Sequence, residues 1–282
     1  MNGPWPLPPA ARPPERGPRN QREERAFLPS IVDLLDLEYV EENIYRCRTV
    51  FEGGRRLYGG QVAAQALLAA GRTVPEGRLP HSLHGYFLRQ GSTLRPTLLR
   101  VERDRDGQSF SARRVVAIQG GDVIFSMSAS FAAPRPGADV EADLAGEVPA
   151  PDSLPRWTHP YHESFEFRTD LGGRRLPSRF WFRCTADLPD DPLLHAAVLA
   201  YASDISNGLV AFEGNGSQGG PSLDHALWFH RPARMGEWTW QDLVPHSAAA
   251  GRGLYTGAVY SAAGSRVASI AQEALFRELR AD

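Results

Sequence analysis

The stretch Gly59-Gly-Gln-Val-Ala-Ala-Gln-Ala-Leu-Leu-Ala-Ala70 is so rich in alanine and leucine that it predicts a mostly buried helix. A second stretch of this kind, Asp191-Pro-Leu-Leu-His-Ala-Ala-Val-Leu-Ala-Tyr-Ala-Ser-Asp204, lies in the other half of the chain. Pro192 fits the first turn of that helix, with Asp190 or Asp191 as the N-cap. A helix with no polar face for water must be covered by other elements, so each stretch predicts a helix enclosed by a sheet.

Strand-like runs, separated by turns that contain glycine, surround each predicted helix. In the first half they lie near residues 43–51, 81–89, 95–103, 109–118 and 122–131. In the second half they lie near 163–168, 179–185, 222–231, 238–248, 252–260 and 266–276. A short amphipathic helix over residues 30–38, with Ser30 as its N-cap, precedes the first set.

The two halves resemble each other, which predicts a duplicated domain. Residues 82–89 are similar to residues 222–231, and residues 109–131 align with 254–276 without a gap. Each half is thus a central helix with a mostly antiparallel sheet wrapped around it. This α+β pattern predicts a double hot-dog fold, two fused hot-dog domains.

The predicted domain boundaries follow changes in composition. Residues 1–28 form a Pro/Arg-rich tail that is expected to be disordered, and 134–160 form a proline-rich acidic linker. The N-terminal hot-dog domain then covers residues 29–133, and the C-terminal one covers 161–282.

Composition excludes several classes of protein. The 31 basic and 33 acidic residues leave a net charge of −2, which argues against nucleic-acid binding. The chain has no apolar run long enough to span a membrane, and its tail has no signal-peptide pattern. Its two cysteines have no metal-ligand spacing and predict neither a disulfide framework nor an oxidising compartment, so the expected location is cytoplasmic. His159 and His162 have the spacing closest to that of a metal site, but the linker around them shows no metal-binding motif, so no metal site is expected.

Asp204 is a carboxylate on the apolar face of the second predicted helix. With residues about 100° apart, Asp204 falls within about 20° of Leu193, on the face expected to contact the sheet. Burying a carboxylate is costly unless it is hydrogen-bonded, and burial raises its pKa. Two interpretations stay open: Asp204 bonds backbone amides where the helix ends, or it is a general base or water-orienting group.

Gln272 is the one polar residue on the inward face of the last predicted strand. Alternation places on that face Ala268, Ile270, Gln272, Ala274 and Phe276. The amide either satisfies a backbone group or points at a buried polar site. Met127 occupies the aligned position in the first half, and Asp224 aligns with His84, so the two halves are chemically different.

Two glycine-containing motifs do not carry the chemistry that their spacing suggests. Gly214-x-Gly216-x-x-Gly219 matches a dinucleotide fingerprint, but a strand-like run follows it instead of a helix. Residues 215–219 nearly match the nucleophile elbow of serine hydrolases, yet Asn215 replaces the first glycine. The prediction for this segment is a glycine-rich loop.

Five segments resemble the type II acyl-CoA thioesterases, the thioesterase B family. They are Gly59-Gly-Gln-Val-Ala-Ala-Gln-Ala66, His81-Ser-Leu-His-Gly-Tyr-Phe-Leu-Arg89, Gly107-Gln-Ser-Phe-Ser-Ala-Arg-Arg-Val115, Ser222-Leu-Asp-His-Ala-Leu-Trp-Phe-His-Arg231 and Val267-Ala-Ser-Ile-Ala-Gln-Glu273. The likeness runs in order from about residue 30 onward. It implies a double hot-dog that hydrolyses fatty acyl-CoA without a covalent intermediate, metal or cofactor.

The resemblance also implies site residues. In the family an aspartate at the second central helix, a Ser or Thr, and a glutamine hold a water, roles that carry over to Asp204, Ser222 and Gln272. Analogy with other hot-dog enzymes makes Gly59 and Gly60, at the start of the first helix, candidates for binding the oxyanion. The alternative stays open that these glycines only form a tight turn into a packed helix. The family further implies a homo-oligomer, a dimer or tetramer.

Two alternatives to this function stay open. One is a non-catalytic hot-dog protein that binds acyl-CoA, and the other is a hot-dog enoyl-CoA hydratase or dehydratase. The latter enzymes usually pair an acidic residue with a histidine, and the sequence offers no convincing pair. Arg113 and Arg114 could meet the phosphates of coenzyme A, but as neighbours on a strand they cannot both face one site.

Overall fold

A computed structural model describes residues 30–47, 56–141, 147–159, 163–214 and 217–278. The predicted tail, residues 1–28, lies outside this part of the chain. The described helices are α1 (Ile31–Leu35), α2 (Gly59–Gly71) and α3 (Pro192–Ala202), with short 3-10 helices at Pro151–Ser153 and Gly208–Phe212. None of these helices is long and apolar enough to cross a bilayer.

The strands of the described residues form one 14-stranded sheet, which is antiparallel throughout. The first half supplies β1 (Leu37–Glu41), β2 (Ile44–Cys47), β3 (Leu79–Phe87), β4 (Thr97–Asp106), β5 (Phe110–Gln119) and β6 (Asp122–Ala132). The second half supplies β7 (Arg156–Trp157), β8 (Phe165–Arg168), β9 (Arg179–Cys184), β10 (Ser217–Ser222), β11 (Asp224–Phe229), β12 (Thr239–Ala249), β13 (Arg252–Ser261) and β14 (Arg266–Glu278).

The order of the strands shows the duplication directly. The sheet runs β1-β2-β4-β5-β6-β3-β11-β14-β13-β12-β9-β8-β7, and β10 pairs with β14 beside this path. The two halves meet where β3 pairs with β11, and the strand order on one side of that seam mirrors the order on the other. Each central helix therefore has its own half of the sheet.

Both central helices are buried, as their composition predicts. Every residue of α2 from Gly60 to Gly71 is buried, and α3 is buried from Ala197 to Ala202. The two helices also pack against each other, because α2 has glycines at the positions where α3 approaches it. A Cβ on Gly71 would overlap the side chain of Leu193, and one on Gly60 would lie 2.5 Å from the carbonyl oxygen of Tyr201.

Two predicted helix starts are confirmed by their caps. Ser30 caps α1, because its hydroxyl accepts a hydrogen bond from the backbone N–H of Asp33. The Asp33 carboxylate in turn accepts one from the backbone N–H of Ser30. Asp191 caps α3 by accepting from the amide of Leu193, directly before Pro192.

The N-terminal prediction was correct in type but wrong in length. The helix predicted over residues 30–38 ends at Leu35, because Asp36 takes an extended conformation and Leu37 starts β1. Leu37 is buried opposite Cys47 of β2, and this pairing overrides the local helical pattern. Of the strand predicted near 43–51, residues 44–47 form β2, and 48–51 lie outside the described part.

Two segments without a predicted strand enter the sheet. The glycine-rich loop predicted over residues 214–219 was wrong for residues 217–219, which belong to β10 and pair with the end of β14. Small residues favour this strand: a Cβ on Gly219 would lie 2.6 Å from Nδ2 of the Asn207 side chain, which would have to move to make room. Within the predicted linker, β7 pairs with β8.

Candidate active site

A cavity of about 930 Å³ opens where the N-terminus of α2 meets the C-terminal end of α3. It is lined by residues of both halves, including Gly59, Phe87, Asp204, Ser222 and Gln272. Three of the predicted catalytic residues therefore face one space, although they come from a helix end and from β10 and β14.

Asp204 lies just beyond the end of α3. The prediction placed it on the helix, but α3 ends at Ala202 with Ser203 as the C-cap, and Asp204 begins the following turn. There its carboxylate accepts hydrogen bonds from the backbone N–H of Gly60, at the start of α2, and from the side chain of Gln272. These bonds keep the carboxylate at the cavity wall.

Gln272 is the centre of the hydrogen-bond network. Its Nε2 donates to Oδ1 of Asp204 at 2.9 Å and also to Oγ of Ser222. Ser222 in turn donates to the Asp204 carboxylate. The side chain of Gln272 is buried, as its place on the inward face of β14 predicts.

Burial raises the pKa of Asp204 above its ordinary value of 3.8. The positive charge that His225 can carry and the hydrogen bonds from Gln272, Gly60 and Ser222 act in the opposite direction. Desolvation is the largest of these effects, so the carboxylate binds a proton more readily than in water. A base of raised pKa in a cavity is suited to accepting a proton from a bound reactant.

His225 is part of this network although no role is predicted for it. Its ring is fully buried on β11, with Nδ1 bonded to Oε1 of Gln272 and Nε2 at 2.7 Å from Oγ of Ser203. The antiparallel register would have indicated it: Ala226 lies opposite Ala271, which puts His225 opposite Gln272. That signal requires knowing that β11 and β14 are neighbours.

Gly59 and Gly60 lie against the carboxylate, but they do so differently. Gly60 gives its N–H to Asp204, and a Cβ there would collide with the backbone of α3. Gly59 lines the cavity, and a Cβ there would lie 2.8 Å from Oδ2 of Asp204 and 3.0 Å from the ring of Phe87. The space beside Oδ2 therefore exists because residue 59 has no side chain.

Arginines lie at the rim of the cavity. Arg56, Arg89 and Arg175 all line it and are all exposed. Arg175 is paired with Glu213 at 3.0 Å, and Arg89 lies 3.8 Å from Asp122. The rim can thus attract an anionic group, since Asp204 is the only carboxylate among the described residues that line the cavity.

Arg113 and Arg114 point to opposite faces of β5, as the alternation predicts. Arg113 is fully buried beneath the C-terminal end of α2, where it donates to the carbonyl and hydroxyl oxygens of Thr73. Arg114 is exposed and paired with Glu102 on the outer surface. Neither residue is among the described residues that line the cavity.

The mirror position in the first half has different chemistry. Gly85 lies opposite Met127 there, in place of the pair of His225 and Gln272. Thr73, like Asp204, is the second residue after its helix, so a threonine replaces the aspartate. The predicted asymmetry between the halves is confirmed at these positions.

Two family models match the two halves of the chain. Residues 49–132 match the model of the acyl-CoA thioesterase N-terminal domain, and 136–276 match that of the acyl-CoA thioesterase C-terminal domain. The chain belongs to the acyl-CoA thioesterase family. The predicted family is therefore confirmed.

Individual thioesterases are similar over nearly the whole chain. Acyl-CoA thioesterase 2 of Haemophilus influenzae is 34% identical, over 89% of this chain and 98% of its own length. Human acyl-coenzyme A thioesterase 8 is 30% identical, over 88% of each chain. The crystal structure of an acyl-CoA thioesterase II from Mycobacterium marinum is 40% identical, with a TM-score of 0.76 over 89% of this chain and 98% of that one.

The hot-dog fold is confirmed by a more distant structure as well. A protein with a hot-dog fold from Alicyclobacillus acidocaldarius superposes with a TM-score of 0.71 at 18% identity, covering 88% of this chain and 98% of that one. With two central helices and two mirrored halves of one sheet, this thioesterase is a double hot-dog.

Proposed function

We propose that this thioesterase hydrolyses acyl-CoA by direct attack of a water held by Asp204, Ser222 and Gln272. The observation that carries the proposal is the Asp204 carboxylate, bonded to Gln272 and Ser222 at the wall of a cavity. Its two oxygens offer about four acceptor positions, and three are used by Gly60, Gln272 and Ser222. The remaining position is available to a water.

The reaction follows from these positions. The water oxygen attacks the carbonyl carbon of the thioester while Asp204 takes one of its protons. The tetrahedral intermediate carries a negative oxygen, which we assign to the N–H of Gly59 at the N-terminus of α2, since Gly60 is engaged with Asp204. When the carbon–sulfur bond breaks, the thiolate of coenzyme A leaves and takes the proton from Asp204.

The rim supports coenzyme A as the leaving group. Its phosphates are anions, and Arg56, Arg89 and Arg175 present guanidinium groups at the mouth of the cavity. An acyl chain then fits the apolar part of the wall, formed by residues such as Val62, Phe87 and Ile124.

His225 is not available to a substrate, as the histidine of a hydratase or dehydratase would have to be. Both ring nitrogens of His225 are bonded inside the protein, to Gln272 and Ser203, so the ring offers neither to a substrate. Binding without turnover is separated from hydrolysis by the experiment below.

The test is release of free coenzyme A from short- to long-chain acyl-CoAs by the wild type and by Asp204→Asn. We expect turnover that falls at least about 100-fold in the variant while binding of a non-hydrolysable acyl-CoA thioether is kept. Acyl-pantetheines, which lack the nucleotide, should show a higher KM. Tight thioether binding with no wild-type turnover would favour the acyl-CoA-binding protein instead, and full turnover by the variant would remove Asp204 as the base.

We further propose that the enzyme is cytoplasmic and forms a homodimer or homotetramer. The absence of disulfide spacing supports the first proposal, and the family resemblance supports the second. Light scattering on the purified chain tests assembly, and a mass of one chain would contradict it. Cell fractionation with an antibody tests the location.

A further inference from the structure

The amide of Gln272 can work in only one of its two orientations. With Nε2 toward Asp204 and Ser222, it donates to both. If the amide were flipped, its carbonyl oxygen would face the carboxylate, two acceptors would meet without a hydrogen, and the site would lose a donor. Some group must therefore hold Oε1 on the far side.

His225 is placed to do this. Its Nδ1 contacts Oε1 of Gln272, and a carbonyl oxygen can only accept, so Nδ1 must carry the hydrogen. On the other side of the ring, Nε2 contacts Oγ of Ser203, which also lies 2.9 Å from the carbonyl oxygen of Ala200. Ser203 can donate to Nε2 of a neutral ring, or to Ala200 while it accepts from a charged ring; Nδ1 is protonated in both cases.

The surroundings leave the ring no alternative partner. His225 is fully buried, and Ser203 is the C-cap of α3, directly before Asp204. The end of the helix thus fixes both the base and, through Ser203 and His225, the amide that contacts the base. In the mirror half Gly85 replaces the histidine and Met127 replaces the glutamine, so the two residues are either both present or both absent.

We propose that His225 is a positioning residue, whose Nδ1–H fixes the orientation of the Gln272 amide that holds Asp204 and the water. This inference rests on the proposed hydrolysis, because it assigns to the network of that site a residue that never touches the substrate. The ring acts only through Gln272.

Three variants of His225 separate a positioning role from a packing role. The amide nitrogen of Asn can occupy the place of Nδ1, whereas that of Gln reaches the place of Nε2, and Leu has no donor. We expect His225→Asn to keep kcat within about tenfold, and His225→Gln and His225→Leu to lose roughly 100-fold in kcat with little change in KM.

Thermal unfolding of the same variants is the control for packing. All three leave a cavity or an unpaired hydroxyl, so all three should lower Tm. If the inference is wrong, the loss of kcat in the three variants follows their loss of Tm, and the Asn variant is no more active than the Gln and Leu variants. Wild-type kcat in a folded Leu variant would also overturn it.

A measurement on the wild type decides the matter even if every variant misfolds. The histidines are labelled with nitrogen-15, and NMR detection of the two-bond couplings in the ring shows which ring nitrogen carries the proton. The signals of His225 are assigned by their coupling to its own backbone, or by their loss in a folded Asn variant. We expect a proton on Nδ1, and a ring protonated on Nε2 alone would refute the inference. This result does not depend on turnover, so a wild type that hydrolyses no acyl-CoA would contradict the proposed function and leave the test of His225 intact.

Discussion

The buried carboxylate of Asp204 is unfavourable for folding but suited to the proposed role as a base. Its pKa is raised by burial, so the ionised form is less stable in the folded protein than in the unfolded chain. At the same time, only the ionised form can take a proton from water. The proposed base is therefore expected to lower the stability of the fold.

This leads to a prediction about pH. Between the ordinary pKa of 3.8 and the raised pKa, the folded state binds more protons than the unfolded state, so the contribution of Asp204 to stability falls as pH rises. Asp204→Asn should thus be at least as stable as the wild type at pH 8, and its advantage should shrink on acidification toward pH 4. Thermal unfolding at several pH values measures this difference.

The matched control is Asp122→Asn, which removes the same charge from an exposed carboxylate with 68% side-chain exposure. It should change Tm little at any pH. An Asp204→Asn protein that is clearly less stable than the wild type at pH 8 would contradict the prediction. For activity, the acidic limb of kcat/KM should lie above pH 3.8 and should be governed by Asp204.

Gly59 and Gly60 are adjacent, but we predict different losses on substitution. Gly59→Ala puts a methyl group 2.8 Å from Oδ2 of Asp204, in the space proposed for the water, and should lower kcat about tenfold or more with Tm nearly unchanged. Gly60→Ala puts it 2.5 Å from the carbonyl oxygen of Tyr201, which forces α2 and α3 apart and should lower Tm by several degrees. Equal effects of the two variants on Tm would contradict this assignment.

At the scale of elements, α2 and α3 determine where the site lies. They run side by side in opposite directions, which brings the first amides of α2 to the end of α3 and hence to Asp204. Tyr58, the residue before α2, adds a hydrogen bond from its hydroxyl to the carbonyl of Tyr201. The contact between these two helix ends joins the halves at the Asp204 carboxylate.

The opposite end of α2 depends on Arg113. Its buried guanidinium donates to carbonyl oxygens of Thr73, Arg105 and Ala112 and to the carboxylate of Asp106. Arg113→Met would leave the buried oxygens of Thr73 unsatisfied and would remove the ion pair of the partly exposed Asp106, at a cost of about 3–5 kcal/mol, or a fall in Tm of roughly 10 °C. Calorimetry measures the change.

Arg114→Met is the matched control, because Arg114 is the next residue on the same strand. Its side chain is 49% exposed and its ion pair with Glu102 lies in water, so Tm should hardly change. A similar loss of stability in both variants would show that the buried hydrogen bonds of Arg113 are not what stabilises this end of α2. Neither substitution should alter KM, since both residues lie away from the cavity.

For the whole molecule, the duplication predicts one catalytic centre in each chain. The second half holds Asp204, His225 and Gln272, whereas the first half holds Thr73, Gly85 and Met127 in their places. Gln272→Met should therefore lower kcat roughly 100-fold, and Met127→Leu should leave kcat near that of the wild type. Steady-state kinetics on the two variants tests this, and a comparable loss in Met127→Leu would indicate a second working site.

Much of the architecture can be predicted from local pattern. The composition of α2 and α3 indicates buried helices because a helix of alanine and leucine has no polar face to leave in water. The strands of each half follow from alternation, and the inward position of Gln272 follows from its parity on β14. These features depend on residues two to four positions apart, so they can be predicted from the sequence alone.

The failures of prediction share a physical cause. The segment that forms β10 has weak strand propensity, and Leu37 follows a helical pattern, yet both pair with strands that approach from elsewhere. Tertiary pairing outweighs a local preference of a few tenths of a kcal/mol per residue.

The sequence by itself determined the duplicated helix-and-sheet plan and, through family resemblance, the three polar residues Asp204, Ser222 and Gln272. Only the tertiary structure decided which groups contact them. The bond from Gly60 to Asp204 and the contact of His225 with Gln272 join residues 144 and 47 positions apart. Such contacts depend on how the two helices cross and which strands become neighbours, and both are settled by the packing of the whole core.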